Sequence, residues 1–414
     1  MNLGKYSMGI GDRFGLQGNY QLQAFEEALK SGLEITPVWN KSNREHTIVH
    51  SVPDDVRAEA DKAVKERKWE KDYFVDADHI NNSNVERFIG SSDFFTLDVA
   101  DFIGKPAQEN EVAAFMATFG KYQGSLTVPG ITSPFEITEK ILHEIAGKYL
   151  FAVKEAAAIY RSIESKKGKA NFIAEVSMDE VNNPQTPIEL FFILGALAKE
   201  KVIFSTIAPK FTGRFNKGVD YVGDIKAFAK EFEEDILVID FAIKEFNLEP
   251  GLKLSVHSGS DKFSIYPEMA RIIRKYDKGI HLKTAGTTWL EEVTGLALAG
   301  GEALELAKGI YAKAYQRRED LCAPYASVID INASRLPSPE AVNTWSPEKF
   351  ADSLRHIPGH SDFNPDLRQL IHVGYKIAAE YGNVYINAIL AHADLVGKQV
   401  FENLWDRHIR RIFL

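Results

Sequence analysis

The sequence holds a single cysteine, Cys322, among 414 residues. No disulfide can close within the chain and no cysteine-based metal cluster can form from it, so a reducing compartment fits and a metal site would use nitrogen and oxygen ligands. Long apolar runs are also missing. The longest, near Leu190 to Ala198, is too short to span a bilayer, and the opening MNLGKYSMGIG lacks a basic segment followed by an apolar core. These absences predict a cytoplasmic protein without a membrane partner. A concentrated basic face is lacking too, and the net charge of -9 argues against nucleic acid and for a small-molecule substrate. Finally there is no proper dinucleotide loop: Gly9, Gly11 and Gly15 in GIGDRFG are spaced GxGxxxG rather than GxGxxG, and no acidic residue ends a clear second strand at the expected distance.

What is present is an ordinary globular composition, 45% apolar and 26% charged, which supplies enough apolar side chains for a large core. Short β-rich runs alternate with longer runs of helical period along the chain. Strands are expected near Tyr6 to Gly11, Ile35 to Trp39, Tyr73 to Asp76, Phe94 to Leu97, Asn171 to Ser177, Val202 to Ile207, Leu252 to His257 and Ile280 to Lys283. About eight such units close an α/β (β/α)8 TIM barrel, placed here at residues 1–300. Segment 101–134, after the fourth strand, is too long for a plain connection and carries its own helical run, Glu109 to Phe119. It is expected to be an insertion lying over the barrel mouth as a lid. Residues 301–414 read as a C-terminal helical extension packed on the barrel, with final helices near Asp366 to Tyr381 and Val384 to Arg411.

Barrel strands should be apolar through the interior and polar where they emerge at the C-terminal face. The third strand ends in DADH (Asp76, Asp78, His79), the fifth in EVSMDE (Glu175, Asp179, Glu180), the seventh in HSGSDK (His257, Asp261, Lys262), and the eighth carries HLKTAG (His281, Lys283). Imidazoles and carboxylates converging on one mouth suit a divalent ion such as Zn, Mn, Ni or Co. Period-two alternation places Asp76 and Asp78 on one face and His79 on the other, so the strand must end there for His79 to reach the mouth. Otherwise Asp78 is the ligand and His79 supports it from behind. Asp224, in the loop after the sixth strand, is either an oxygen ligand or the N-cap of the following helix. The remaining histidines, His372 among them, fall mainly on expected helices or loops and read as structural or surface groups.

Together these blocks resemble the tagaturonate/fructuronate epimerases and their tagatose 4-epimerase relatives. The resemblance rests on GDRFG (11–15), DADH (76–79), EVSMDE with NNPQTP (175–187), KGVDYVGD (217–224), LSVHSGSDKFSIYP (254–267), HLKTAGTTWLE (281–291) and RQLIHVGY (368–375), in family order. Longer members carry a further region before the block that GDRFG matches. The resemblance implies a metal-dependent barrel that inverts C4 of a 2-ketohexose or ketohexuronate. On that basis His79, His257 and His281 are expected at the metal, with Asp78 and Glu175 as base and acid and Asp179 in reserve. Arg13, Lys262 and Lys283 are the expected substrate clamps. Other readings stay open: a class II-like aldolase or ketose isomerase on the same barrel, a metal-free enzyme forming a Schiff base at Lys210, and a noncatalytic sugar-binding barrel. A homo-oligomer is compatible with all of them.

Overall fold

A computed structural model describes residues 1–284 and 287–414. Strands β1 (Tyr6–Gly11), β2 (Ile35–Ser42), β3 (Phe74–Ile80), β4 (Phe94–Asp98), β7 (Ile173–Ser177), β8 (Thr206–Ala208), β9 (Lys253–His257) and β10 (Ile280–Lys283) form a closed barrel in the order β1-β10-β9-β8-β7-β4-β3-β2. Every neighbouring pair in it is parallel. A short hairpin, β5 (Gly124–Leu126) and β6 (Phe135–Ile137), lies outside the barrel. Parallel strands buried on both faces read as apolar runs, as β2 does, with all of its residues buried. The expected strands are present. β8 begins only at Thr206, because Val202 and Phe204 before it pack into the core as connection rather than strand. Among the described residues no helix is long and apolar enough to cross a membrane.

The barrel interior departs from the expected apolar filling. Val38, Phe74, Phe94 and Ile173 share an inner layer on neighbouring strands and, with Leu3, close the floor. Above them Asn40 pairs with Asp76 on one side and Thr96, Glu175 and Thr206 pair in turn on the other, the two sets offset by two residues where Asp76 lies opposite Phe94 and joined by the Thr96 hydroxyl donating to Asp76, and all five are buried. The polar groups therefore begin in mid-barrel, two residues before the strands emerge, where each needs a partner to offset desolvation.

The insertion is not a lid. Its helix, Glu109–Phe119, sets Phe115 and Phe119 against Phe192 of the helix Pro187–Lys199, and Phe119 and Tyr122 against Phe246 of the helix Ile225–Phe246. Tyr122 also donates to Glu245 at 2.5 Å. This aromatic area fixes the segment to the outer helical layer, and no residue of 101–134 lines the mouth. The mouth is covered from the other side. Residues from Trp289 to Val396 form a second apolar cluster with Phe14 and Leu16, and the chain then returns to the barrel core through Val400, Leu404, Ile412 and Phe413. The expected last two helices are broken near Gly374, Gly382 and His392 into shorter pieces, and a π-helical turn, Asn403–Ile409, precedes the final α-helical turn, Arg410–Phe413.

Candidate active site

His79 reaches the mouth through an irregularity in β3. β3 does not end before this residue. Its register with β4 shifts between Ala77 and Ile80, and His79 adopts φ of 50°, in the left-handed region. This bulge re-aims one side chain, so Asp78 and His79 both line the same cavity. That strained conformation at a non-glycine residue is held by the ladder that resumes at Ile80.

His79, Asp179 and His257 each offer one ligand atom, and these atoms lie within 4.8 Å of one another. His257 Nε2 sits 2.8 Å from Glu175 Oε1, while its Nδ1 is 3.2 Å from Asp179. His79 Nδ1 is 3.4 Å from Asp98, and its Nε2 is 3.8 Å from Asp78. Burial disfavours the imidazolium form of both rings, but the carboxylates outweigh it. Asp78, Asp98 and Asp179 raise His79 well above its ordinary value, and Asp179 and Glu175 lift His257 to about 9. The field at this wall therefore favours positive charge. Both Nδ1 atoms are buried without a hydrogen bond. Two imidazoles and a carboxylate in an acidic surround fit a divalent ion of the Zn, Mn, Ni or Co class.

Beneath them Lys283 Nζ joins Asp76 at 2.8 Å, Asp78 at 2.8 Å and Glu175 at 3.0 Å. Thr96 and Thr206 donate to Asp76 and Glu175. Burial opposes ionisation of Asp78, yet Lys283, His79 and His257 hold its carboxyl down at about 2. Burial dominates at Asp76, which rises to about 6. One ammonium thus serves three carboxylates, and all three raise it well above its ordinary value against the cost of burial.

A second set of lining residues is mostly cationic. Arg13, on the turn after β1, is 8% exposed and lies 3.3 Å from Glu45 without a hydrogen bond, its guanidinium 4.2 Å over the Tyr375 ring. Asp12 shapes that turn by accepting from the amides of Phe14, Gly15, Leu16 and Gln17. His372, at the end of the helix Pro365–Val373, is 2% exposed, and neither ring nitrogen has a partner. Burial, reinforced by Arg13 and Lys217, keeps it far below its ordinary value and hence neutral. Lys217 and Arg44 line the cavity with them, together with Glu45 and Glu180, while Lys210 lies near enough to Asp179 to feel its charge. The enclosed volume is about 310 Å³, at the small end of small-molecule sites and suited to a single sugar rather than a polymer.

Of the expected site residues, the structure brings Arg13, Asp78, His79, Asp179, His257 and Lys283 to one cavity. It does not bring four others. His281 is fully buried on β10, its Nδ1 against the Ser7 hydroxyl at 2.8 Å, and burial pushes it to about 3; it stands outside the His79–Asp179–His257 group. Asp224 is exposed and caps the helix Ile225–Phe246 through the amides of Lys226 and Ala227, so the N-cap alternative holds. Lys262 is fully buried and donates to the carbonyls of Asn216 and Val219, which makes it a brace for a loop rather than a clamp. Glu175 lies under His257 and does not line the cavity. In the HLKTAGTTWLE block, Ala285 and Gly286 lie outside the described residues. Sequence reasoning missed Asp98, one residue beyond the expected end of β4, and it missed His372, Lys217, Arg44 and Glu45. His372 and Lys217 sit in the RQLIHVGY and KGVDYVGD blocks, which was the available signal.

Residues 1–410 match the family model described as UxaE, tagaturonate epimerase. The chain is 28% identical over 381 residues to the tagaturonate/fructuronate epimerase of Thermotoga maritima, covering 89% of this chain and 72% of that protein. The crystal structure of the fructuronate-tagaturonate epimerase UxaE from Cohnella laeviribosi superposes with a TM-score of 0.82 at 22% identity, over 100% of this chain and 82% of the other. Its one-glycerol complex gives 0.81 at the same identity, over 99% and 81%. At that identity the superposition speaks for the shared fold.

Proposed function

The chain belongs to the tagaturonate epimerase family, and from that premise we propose that it is a divalent-metal-dependent epimerase inverting C4 of a 2-ketohexuronate or 2-ketohexose. The observation that carries the reading is the acidic wall itself: His79, Asp179 and His257 within ligand distance of one another, beside Asp78 and Lys283. His79, Asp179 and His257 would hold the ion. When bound, it supplies Lewis-acid stabilisation for negative charge developing on sugar oxygens.

The position of C4 dictates the rest. It lies β to the C2 carbonyl, so its hydrogen is not acidified, and enolisation cannot invert it. Breaking the C3–C4 bond can. Asp78 receives the C4 hydroxyl proton, the C3–C4 electron pair moves toward the C2 carbonyl, and C4 becomes an aldehyde carbon. After that fragment turns its other face, the bond re-forms and Asp78 returns the proton to the new C4 oxygen. Lys283 fixes the Asp78 carboxylate at 2.8 Å and holds it ionised, ready to accept. Glu175, accepting from His257 Nε2, fixes the ring so that Nδ1 faces the cavity, the pattern of a carboxylate supporting a histidine ligand.

A second reading has one observation in its favour. Lys210 lines the cavity, and burial lowers its ammonium, the condition a Schiff-base lysine needs. One experiment separates the readings. Chelator-stripped protein is assayed with fructuronate, tagaturonate, fructose and tagatose, before and after a divalent ion is restored. Activity lost on stripping and regained on addition supports the metal enzyme. Full activity in the stripped protein favours Lys210, and binding without interconversion of any of the four sugars would leave a noncatalytic barrel.

A further inference from the structure

Buried donors without partners are rare in folded proteins, and their usual explanation is a ligand atom. The acidic wall has such atoms, the Nδ1 nitrogens of His79 and His257, and the ion proposed above would account for them. The cationic residues have their own set: Arg13 Nη1, beside the Nε that faces Glu45 at 3.3 Å, and both nitrogens of His372, on side chains more than nine-tenths buried that line the cavity. We propose that Arg13, His372 and Lys217 form a carboxylate-binding subsite that orients a ketohexuronate by its acid end and selects it over the neutral ketohexose. The inference rests on the epimerase reading and deepens it.

The chemistry of the wall points to an anion with more than one oxygen. Arg13, with Nε facing Glu45, offers the N–H groups of Nη1, neutral His372 offers one N–H, and Lys217 adds an ammonium that makes no ion pair among the described residues. Glu45 is the acid closest to Arg13, and it is partly engaged already, accepting from the Ser42 amide and hydroxyl at 3.1 Å each. A carboxylate meets these donors without burying an uncompensated charge. A hydroxymethyl group would leave most of them unpaired, the situation in which discrimination is largest.

The subsite is built before any ligand arrives. Arg368, fully buried one helical turn before His372, donates to Gly218 O at 2.6 Å and to Asp261 Oδ2 at 2.8 Å. It thereby ties the helix of His372 to the loop of Lys217 and to the loop after β9. Gly218 has φ of 81°, in the left-handed region that favours glycine, and the loop lies on the helix there, an added Cβ coming into ordinary contact with His372 Cβ at 3.6 Å. Arg368 is a positioning residue, and the three groups before the cavity are the ones that would touch substrate.

The test compares kcat/KM for tagaturonate and tagatose in metal-loaded wild type, His372→Leu, Lys217→Met and the double variant, with melting curves to confirm folding. The uronate-to-ketose preference should fall about tenfold in each single variant and about 10²-fold or more in the double, chiefly through KM for tagaturonate. Equal losses on both sugars would overturn the subsite, as would a wild-type preference for fructose 6-phosphate over the uronates. A binding arm keeps the outcome separate from the epimerase reading. Wild type should bind gluconate more tightly than sorbitol, and the variants should lose that preference even if no sugar is interconverted. A gluconate preference retained in the double variant would place the carboxylate elsewhere and defeat the proposal.

Discussion

The two walls of the cavity differ in charge and in what carries them. The acidic wall stands mainly on barrel strand ends: His79 and Asp78 on β3, Asp98 on β4, Asp179 just after β7 and His257 on β9. The cationic wall stands on loops and on a helix of the second apolar cluster: Arg13 on a turn, Lys217 on a loop, His372 on the helix Pro365–Val373. Strand ends are fixed by ladder hydrogen bonds on both sides, which suits groups that must hold an ion and move protons within tenths of an ångström. Loops and added helices can change without disturbing the barrel, which suits groups that choose the substrate. The comparison separates reaction from recognition within one cavity.

The largest effect should come from breaking the acidic wall at its centre. His257→Ala should drop metal content and turnover to the level of stripped protein, with the melting temperature little changed, as metal analysis beside circular dichroism will show. Full metal occupancy in the variant would put His257 outside the ligand set. Asp78→Asn should keep the metal and lose about 10²- to 10⁴-fold in kcat. Metal loss there would make Asp78 a ligand. Glu175→Gln acts one contact further away and should weaken metal affinity about 10- to 100-fold, measured by competition with a chelator, with kcat largely recovered at saturating metal.

The smallest effect lies outside both walls and sharpens the contrast. Asp235, within the helix Ile225–Phe246, is fully buried, and neither carboxylate oxygen has a hydrogen-bond partner. Burial, with Glu231 and Glu234 nearby, raises its pKa well above 3.8. Its folded value exceeds its unfolded one, so the wild-type contribution is intact below the unfolded pKa and is lost as pH rises toward the folded one. Asp235→Asn cannot titrate, so it should gain about 1 kcal/mol at pH 8 and nothing in acid below 3.8, read by thermal melts at the two pH values. Its KM should match wild type.

The barrel was legible because its signal is local: each parallel strand is a short apolar run, and turn residues separate it from the next helix. His257, Asp179, Lys283 and Asp78 were legible for the same reason, as polar residues at strand ends. His79 reached the mouth by a bulge, which strict alternation does not foresee, since a bulge depends on the pairing partner rather than on the strand's own residues. His281 looks like a site residue in sequence because the strand pattern cannot tell a mid-barrel polar layer from the mouth, and Lys262 because a loop lysine that braces a neighbouring loop reads the same as one that faces the cavity. The insertion's aromatic face predicts burial without saying against what. His372 comes from a helix far along the chain, and only the packed fold shows that it faces Arg13.

The central claim is that the acidic wall works on oxygen-bound protons and that the C3–C4 bond breaks. In that route the hydrogen on C4 never leaves its carbon. Tagaturonate or tagatose turned over by metal-loaded protein in deuterium oxide, and followed by NMR from the first product formed, should give an epimer with no deuterium at C4. Deuterium at C4 appearing no later than the epimer itself would contradict the account and make Asp78 a base acting directly on carbon.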